Sequence, residues 1–151
     1  MNPNSSGLST SSIDESLYHS FISDRDVSLS VTSDRDDLLS ELMDTQQEAI
    51  KPNWDGYGAA SADIDAYIVS RHFLNSLPAS IPDPEIDVTP HGDFMFFWRQ
   101  RPGHMLSLTI NGSGEIAYAV KFGHTRKTGT TIYADYIPRH LLVELFHLFS
   151  K

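Results

Sequence analysis

Three stretches decide the fold: FMFFWR at residues 94–99, MLSLTI at 105–110 and EIAYAVKF at 115–122. In each, large apolar residues alternate with smaller or polar ones, the period of a strand with one buried face. The connections between them, around Pro102-Gly103 and Asn111-Gly112-Ser113-Gly114, are short enough for hairpins, so the simplest sheet is an antiparallel meander. Working outward, residues 85–89 add a strand before Pro90-His91-Gly92, and residues 130–135 add one after the stretch Gly123…Gly129. One face of these five strands collects Phe94, Phe96 and Trp98, the apolar residues at alternate positions from Leu106 to Phe122, and Ile132 and Ala134. That face is the core. The other face is lighter, with Met95, Phe97, Arg99, Ser107, Thr109, Ala117, Ala119, Lys121, Thr131 and Tyr133.

Helices flank this β region. Ser12-Ile13-Asp14-Glu15 has the form of a capping box, and Ile13, Leu17 and Phe21 repeat at helical spacing, which predicts a helix over 13–22. Val27-Ser28-Leu29-Ser30-Val31-Thr32 alternates with period two, which predicts a half-buried strand and a candidate sixth member of the sheet. Ser33 or Asp34 then caps a helix running to about Ile50, before Pro52, with Leu38, Leu39, Leu42, Met43, Ala49 and Ile50 as its apolar stripe. A loop at 53–60 leads to a helix that Ser61 or Asp63 caps and that ends near Leu77; Pro138 opens a last helix. The fold class is therefore α+β, a meander of about five strands with helices packed on one face.

The chain has 151 residues, the length of one ordinary domain, and can bury roughly 70% of its unfolded surface. Residues 1–11, nearly all small and polar, read as a disordered tail, leaving 12–151 as a single domain whose part 12–50 is acidic and helical. Of the net charge of −9, ten acids and two bases in residues 1–50 supply almost everything; residues 51–151 hold ten acids and nine bases. Such a balance repels phosphate backbones. The absence of cysteine excludes a disulfide scaffold, a thiol nucleophile and thiolate metal ligands. Without a signal-like or membrane-spanning stretch, the expected location is the cytoplasm.

The loop Trp54-Asp55-Gly56-Tyr57-Gly58-Ala59, a following helix ending Phe73-Leu74-Asn75-Ser76-Leu77-Pro78, then Pro82-Asp83-Pro84, Pro90-His91-Gly92-Asp93 and the aromatic strand to Trp98 form an ordered set. In this order of segments, residues 53–151 resemble a group of small, uncharacterised bacterial proteins. The resemblance implies no activity, and no functional residue carries over from it. Read physically, Trp54 and Tyr57 are plugs that pin their loop to the sheet.

Catalytic signals are weak. His140, Glu144 and His147 share one stripe of the last helix, but apolar residues fill the positions around them, so this is the stripe left in water. Gly112-Ser113-Gly114 sits in a hairpin turn, the wrong setting for a nucleophile elbow. No Gly-rich phosphate loop is present. No enzyme activity and no cofactor are expected.

Two surfaces stand out instead. Met95, Phe97, Met105 and Tyr133 give the light sheet face the methionine and aromatic content of an adaptable contact surface. In a meander, alternate turns share one end of the sheet, which brings Arg99, Arg101 and His104 near His124, Arg126 and Lys127. The first surface predicts a protein-binding module whose partner is another protein or a second copy of the chain; the resemblance of residues 53–151 implies an accessory, antidote or inhibitor type, from a bacterium or its mobile elements. The second predicts an anion or nucleic-acid binder. A hydrolase with an unrecognised site is the third reading.

Overall fold

The structure of the protein, a computed structural model, describes residues 26–150. The tail at 1–11 and the helix at 13–22 lie outside the described residues. Two compact units divide the chain, residues 1–36 and 37–151, and the boundary falls inside the first described helix, α1 (Asp26–Glu48). Of the first unit, residues 26–36 are described, and they are the opening turns of α1.

The second unit contains the sheet. Its order is β1 (Glu85–Val88), β2 (Phe94–Arg101), β3 (His104–Ile110), β4 (Glu115–Phe122) and β5 (Thr125–Ile132), each antiparallel to the next. The five-stranded meander is thus the architecture the alternation predicts. Residues 27–32 are no sixth strand; they lie in α1, whose start is Asp26 and not Ser33 or Asp34. The spacing explains the change. Val27, Val31, Leu38 and Leu42 are separated by four, seven and four residues, so the same apolar letters satisfy a helical period once the helix extends toward the N-terminus.

Helices α2 (Ile64–Ser76) and α3 (Arg139–Phe149) pack on β2 and β3. Asp63 caps α2 by accepting from the Ala66 N–H at 3.2 Å. Phe73 of α2 stacks on Phe96 of β2 with ring centroids 5.7 Å apart. Leu141, Leu145 and Leu148 of α3 and Leu38 and Leu42 of α1 complete one apolar cluster under the sheet, with Phe94, Phe96, Trp98, Leu106, Leu108 and Ile110 fully buried. Gln46 is buried beside them, and Met43 and Ile50 of the expected α1 stripe are about half exposed.

The largest departure is β5. The expected span was 130–135, after a wide connection from Gly123 to Gly129. The connection is instead a two-residue turn, with Phe122 opposite Thr125 and Gly123 at φ +63°. A positive φ there suits a tight hairpin, and the turn fixes the register of all that follows. Ile116 then faces Thr131, which puts Thr131 on the covered side and Ile132 on the open side. A single-residue change of register inverts every side chain, so the phase of β5 is opposite to the one its apolar letters suggest. Ile132 is 53% exposed and Ala134 is exposed too, while Tyr133 is buried.

Candidate functional site

The register places the side chains of the open face in rows across the strands. Asp87, Met95, Thr109, Ala117 and Thr130 form one row, and Glu85, Phe97, Ser107, Ala119 and Thr128 the next. The third row is Arg99, Met105, Lys121 and Arg126. Met95, Phe97 and Met105 therefore share one face, each half-buried among polar or small neighbours. The ring contacts between helices and sheet, Phe73 with Phe96, His140 with Tyr118 and His147 with Phe122, all lie on the opposite face.

Tyr133, expected on this face, is not there. Its ring packs edge-on against Phe73 at 5.9 Å, and its hydroxyl meets Ser76 Oγ at 2.7 Å and donates to the His72 carbonyl at 3.2 Å. It joins α2 to the chain after β5. The inverted phase of β5 is the reason.

The basic cluster is present in part. The two turns lie at one end of the sheet and touch: the Gly123 N–H donates to the Gly103 carbonyl at 2.9 Å. His124 is exposed in its turn, and Arg101 bonds the His104 ring from its Nε at 3.4 Å. Arg126 and Lys127 belong to β5 and not to the turn, and neighbouring residues of a strand point to opposite faces. Arg126 joins the open row. Lys127 points to the covered side, where its ammonium donates to Glu144 of α3 at 2.9 Å. Lys127 therefore belongs to the support of the fold. Its place in the row is taken by Lys121, directly across from Arg126. Parity along β4 carries that signal, because Lys121 alternates with Val120 and Phe122.

Arg99, Lys121 and Arg126 make no ion pair among the described residues. The Arg99 guanidinium lies 5.4 Å from the centre of the Phe97 ring, a cation–π contact that holds charge beside the apolar patch. A shallow hollow of about 220 Å³ opens here, lined by Phe97, Met105, Ser107, Ala119, Lys121 and Arg126.

The far end of the same face is acidic. A hollow of about 450 Å³ is lined by Asp93, Asn111, Glu115, Thr130 and Ile132, among others. Burial pushes the Asp93 carboxyl up from its usual range; Asp63 adds to the rise and His91 opposes it. Asn111 organises the neighbouring turn, its Nδ2 donating to Glu115 at 2.7 Å and its Oδ1 accepting from the Ser113 and Glu115 N–H groups. The open face thus runs from acid at the loop end, through an apolar middle, to base at the turn end.

The polar stripe of α3 is used internally. His140 packs on Tyr118, His147 lies 4.3 Å from Phe122 between ring centroids, and Glu144 holds Lys127. No group of three metal-ligating side chains occurs among the described residues. Trp54 is a plug, half-buried on the core with its Nε1 donating to the Ala60 carbonyl at 2.8 Å. Tyr57 is not: it is 93% exposed. The loop closes without it, because Asp55 Oδ1 accepts from the Tyr57 and Ala59 N–H groups and Asn53 Oδ1 from Gly58. No helix among the described residues is long and apolar enough to cross a membrane. No protein-family model, curated protein or solved structure matches the chain.

Proposed function

We propose that the protein works by binding another protein through the open face of its sheet, with no chemistry of its own. One observation carries this reading: Met95, Phe97 and Met105 sit together, each half-buried, on the face opposite the one that α2 and α3 pack against. Adaptable methionine and aromatic side chains in a polar surround suit a partner with an apolar centre, and the row Arg99, Lys121, Arg126 suits acids at its rim. An accessory, antidote or inhibitor role in the cytoplasm of a bacterium fits both this surface and the resemblance of residues 53–151.

The test pairs two variants in affinity capture at moderate salt. Met95→Lys with Phe97→Lys should abolish retention of the partner and leave the chain folded, at a cost of roughly 1–2 kcal/mol for two half-buried side chains. Val143→Lys, on the exposed side of α3, should leave retention unchanged. Equal retention by both variants removes the open face as the binding surface.

A second reading rests on Arg99, Lys121 and Arg126, three cations of one row without an ion pair among the described residues, which can grip phosphates. A single-stranded oligonucleotide titrated at rising salt separates the two. Phosphate contacts predict a steep loss of affinity with salt, which Arg99→Glu with Arg126→Glu abolishes. The acidic balance of the chain and the acid at the other end of the same face favour the protein partner.

A further inference from the structure

The two edges of the sheet are finished differently. β1 has four residues, follows Pro84 and carries Glu85 and Asp87. Thr89 donates to the Asp93 carbonyl, so alternation of the antiparallel ladder turns the N–H groups of Ile86 and Val88 outward. The Val88 N–H is already taken, donating to Asp87 Oδ1 at 2.8 Å. Short length, an adjacent proline and charged side chains are usual protections of an edge.

β5 keeps only the last of these, Arg126 and Lys127 near its start, and Lys127 is held by Glu144 of α3. It is eight residues long, contains neither proline nor acid, and is exposed over most of its length on both faces. The ladder phase is fixed by the Tyr133 N–H, which donates to Gly114 at 2.8 Å. Thr125, Lys127, Gly129 and Thr131 therefore bond inward to β4. The N–H and C=O groups of Arg126, Thr128, Thr130 and Ile132 point to the free edge. Among the described residues these outward groups have no backbone partner.

We infer that this edge pairs with the β5 edge of a second copy of the chain, antiparallel about a two-fold axis at Gly129, making one continuous sheet. The outward groups select the register. Only with Gly129 on the axis does Arg126 face the partner's Ile132 and Thr128 face the partner's Thr130, so that every outward N–H and C=O of both strands finds a mate. Gly129 itself has no side chain to meet its symmetry mate, and its missing Cβ is already required by Tyr118, whose hydroxyl would lie 2.6 Å from it.

Charge selects the same arrangement. Each open face runs from acid to base, and antiparallel pairing sets the base of one against the acid of the other. Arg126 meets the partner's Ile132, whose neighbour on β4 is Glu115. The Arg126 and Glu115 Cα atoms are then about 10 Å apart across subunits, the sum of one hydrogen-bonded and one non-hydrogen-bonded strand spacing, within reach of two long side chains. Arg126 would thereby cover Ile132, which the monomer leaves 53% exposed. No two like charges face each other in this register: Lys127 lies opposite Thr131. Pairing of β5 with the β1 edge meets the Asp87 cap, which leaves the Val88 donor occupied.

The inference does not depend on what the open face binds. The experiment measures mass in solution by sedimentation at rising protein concentration, with circular dichroism as the folding control. The wild type should pass from one to two chain masses. Thr128→Pro deletes an outward donor and no β4 bond, and should remain at one mass with its fold retained. Arg126→Glu should weaken the dimer about tenfold through two symmetric rim pairs. Adding Glu115→Arg to it should restore the dimer, because within one chain those residues lie at opposite ends of the face and meet only between copies. Met95→Lys with Phe97→Lys should leave the dimer intact. A wild type that stays at one mass, or a dimer that survives Thr128→Pro, overturns the edge pairing. Loss of the dimer in the Met95/Phe97 variant alone assigns it to the open face instead. Failure of the charge swap to restore the Arg126→Glu defect overturns the register.

Discussion

Phe96 and Phe97 are neighbours in the chain and identical in chemistry, yet they stand on the two faces of the same strand. Phe96 is fully buried and stacked on Phe73; Phe97 is half-buried under the Arg99 guanidinium. On the covered face, apolar residues of β2 and β3 interlock with two helices. On the open face the same strand pairs Phe97 with Glu85 and Ser107, and apart from Met95 and Met105 its neighbours are small or polar. Hydrophobicity of a residue therefore says little here about its role. Which face it lands on decides whether it stabilises the monomer or remains for another molecule.

The comparison is broken or sharpened first by truncation. Phe96→Ala should cost roughly 3–5 kcal/mol, because transfer and cavity terms add in a close-packed core. Phe97→Ala should cost about 1 kcal/mol, the share of burial it has. Urea unfolding with an unchanged slope measures both. Equal costs would mean that the open face is as firmly packed as the covered one.

The second test concerns the covering layer. Ser70 of α2 is fully buried, and its hydroxyl has no hydrogen-bond partner among the described residues. A buried polar group without a partner is a net cost, and alanine also prefers the helix. Ser70→Ala should stabilise by roughly 1 kcal/mol, read as a higher urea midpoint. A loss of stability would show that the hydroxyl is satisfied in solution.

The smallest effect is electrostatic and belongs to the open face. The Asp93 carboxyl titrates above its unfolded value, mainly through burial, so the folded chain holds that proton more tightly than the unfolded chain. Stability from this group is greatest below the unfolded pKa, falls as pH rises through the window up to the raised folded value, and stays low above it. Asp93→Asn should therefore raise the melting temperature at neutral pH, and the gain should vanish as pH drops below the usual carboxylate range. A gain independent of pH would point to lost packing strain and not to charge.

The alternation of FMFFWR, MLSLTI and EIAYAVKF determined the strands, their order and the inward face of β2, β3 and β4, because a period of two admits one partition once large apolar residues are taken inward. Ser61 and Asp63 before an apolar helix bracketed where α2 begins, and the structure takes Asp63 as the cap. The same letters left the helix or strand state of residues 27–32 open, since the period is ambiguous over six residues; continuation of the turns of α1 decided it. They also left β5 open. Ile132 and Tyr133 are adjacent and both apolar enough to be core, so composition could not choose between them. The two-residue turn at Gly123-His124 chose, by setting Phe122 opposite Thr125, and with that one register Tyr133 went under the sheet, Arg126 came beside Lys121, and Lys127 went to Glu144. Met95, Phe97 and Met105 could be assigned to one face from parity alone. That the helices pack on the other face, and that one edge is capped while the other is free, depends on where the chain returns in space. Non-local packing carries that information, and no local period in the sequence contains it.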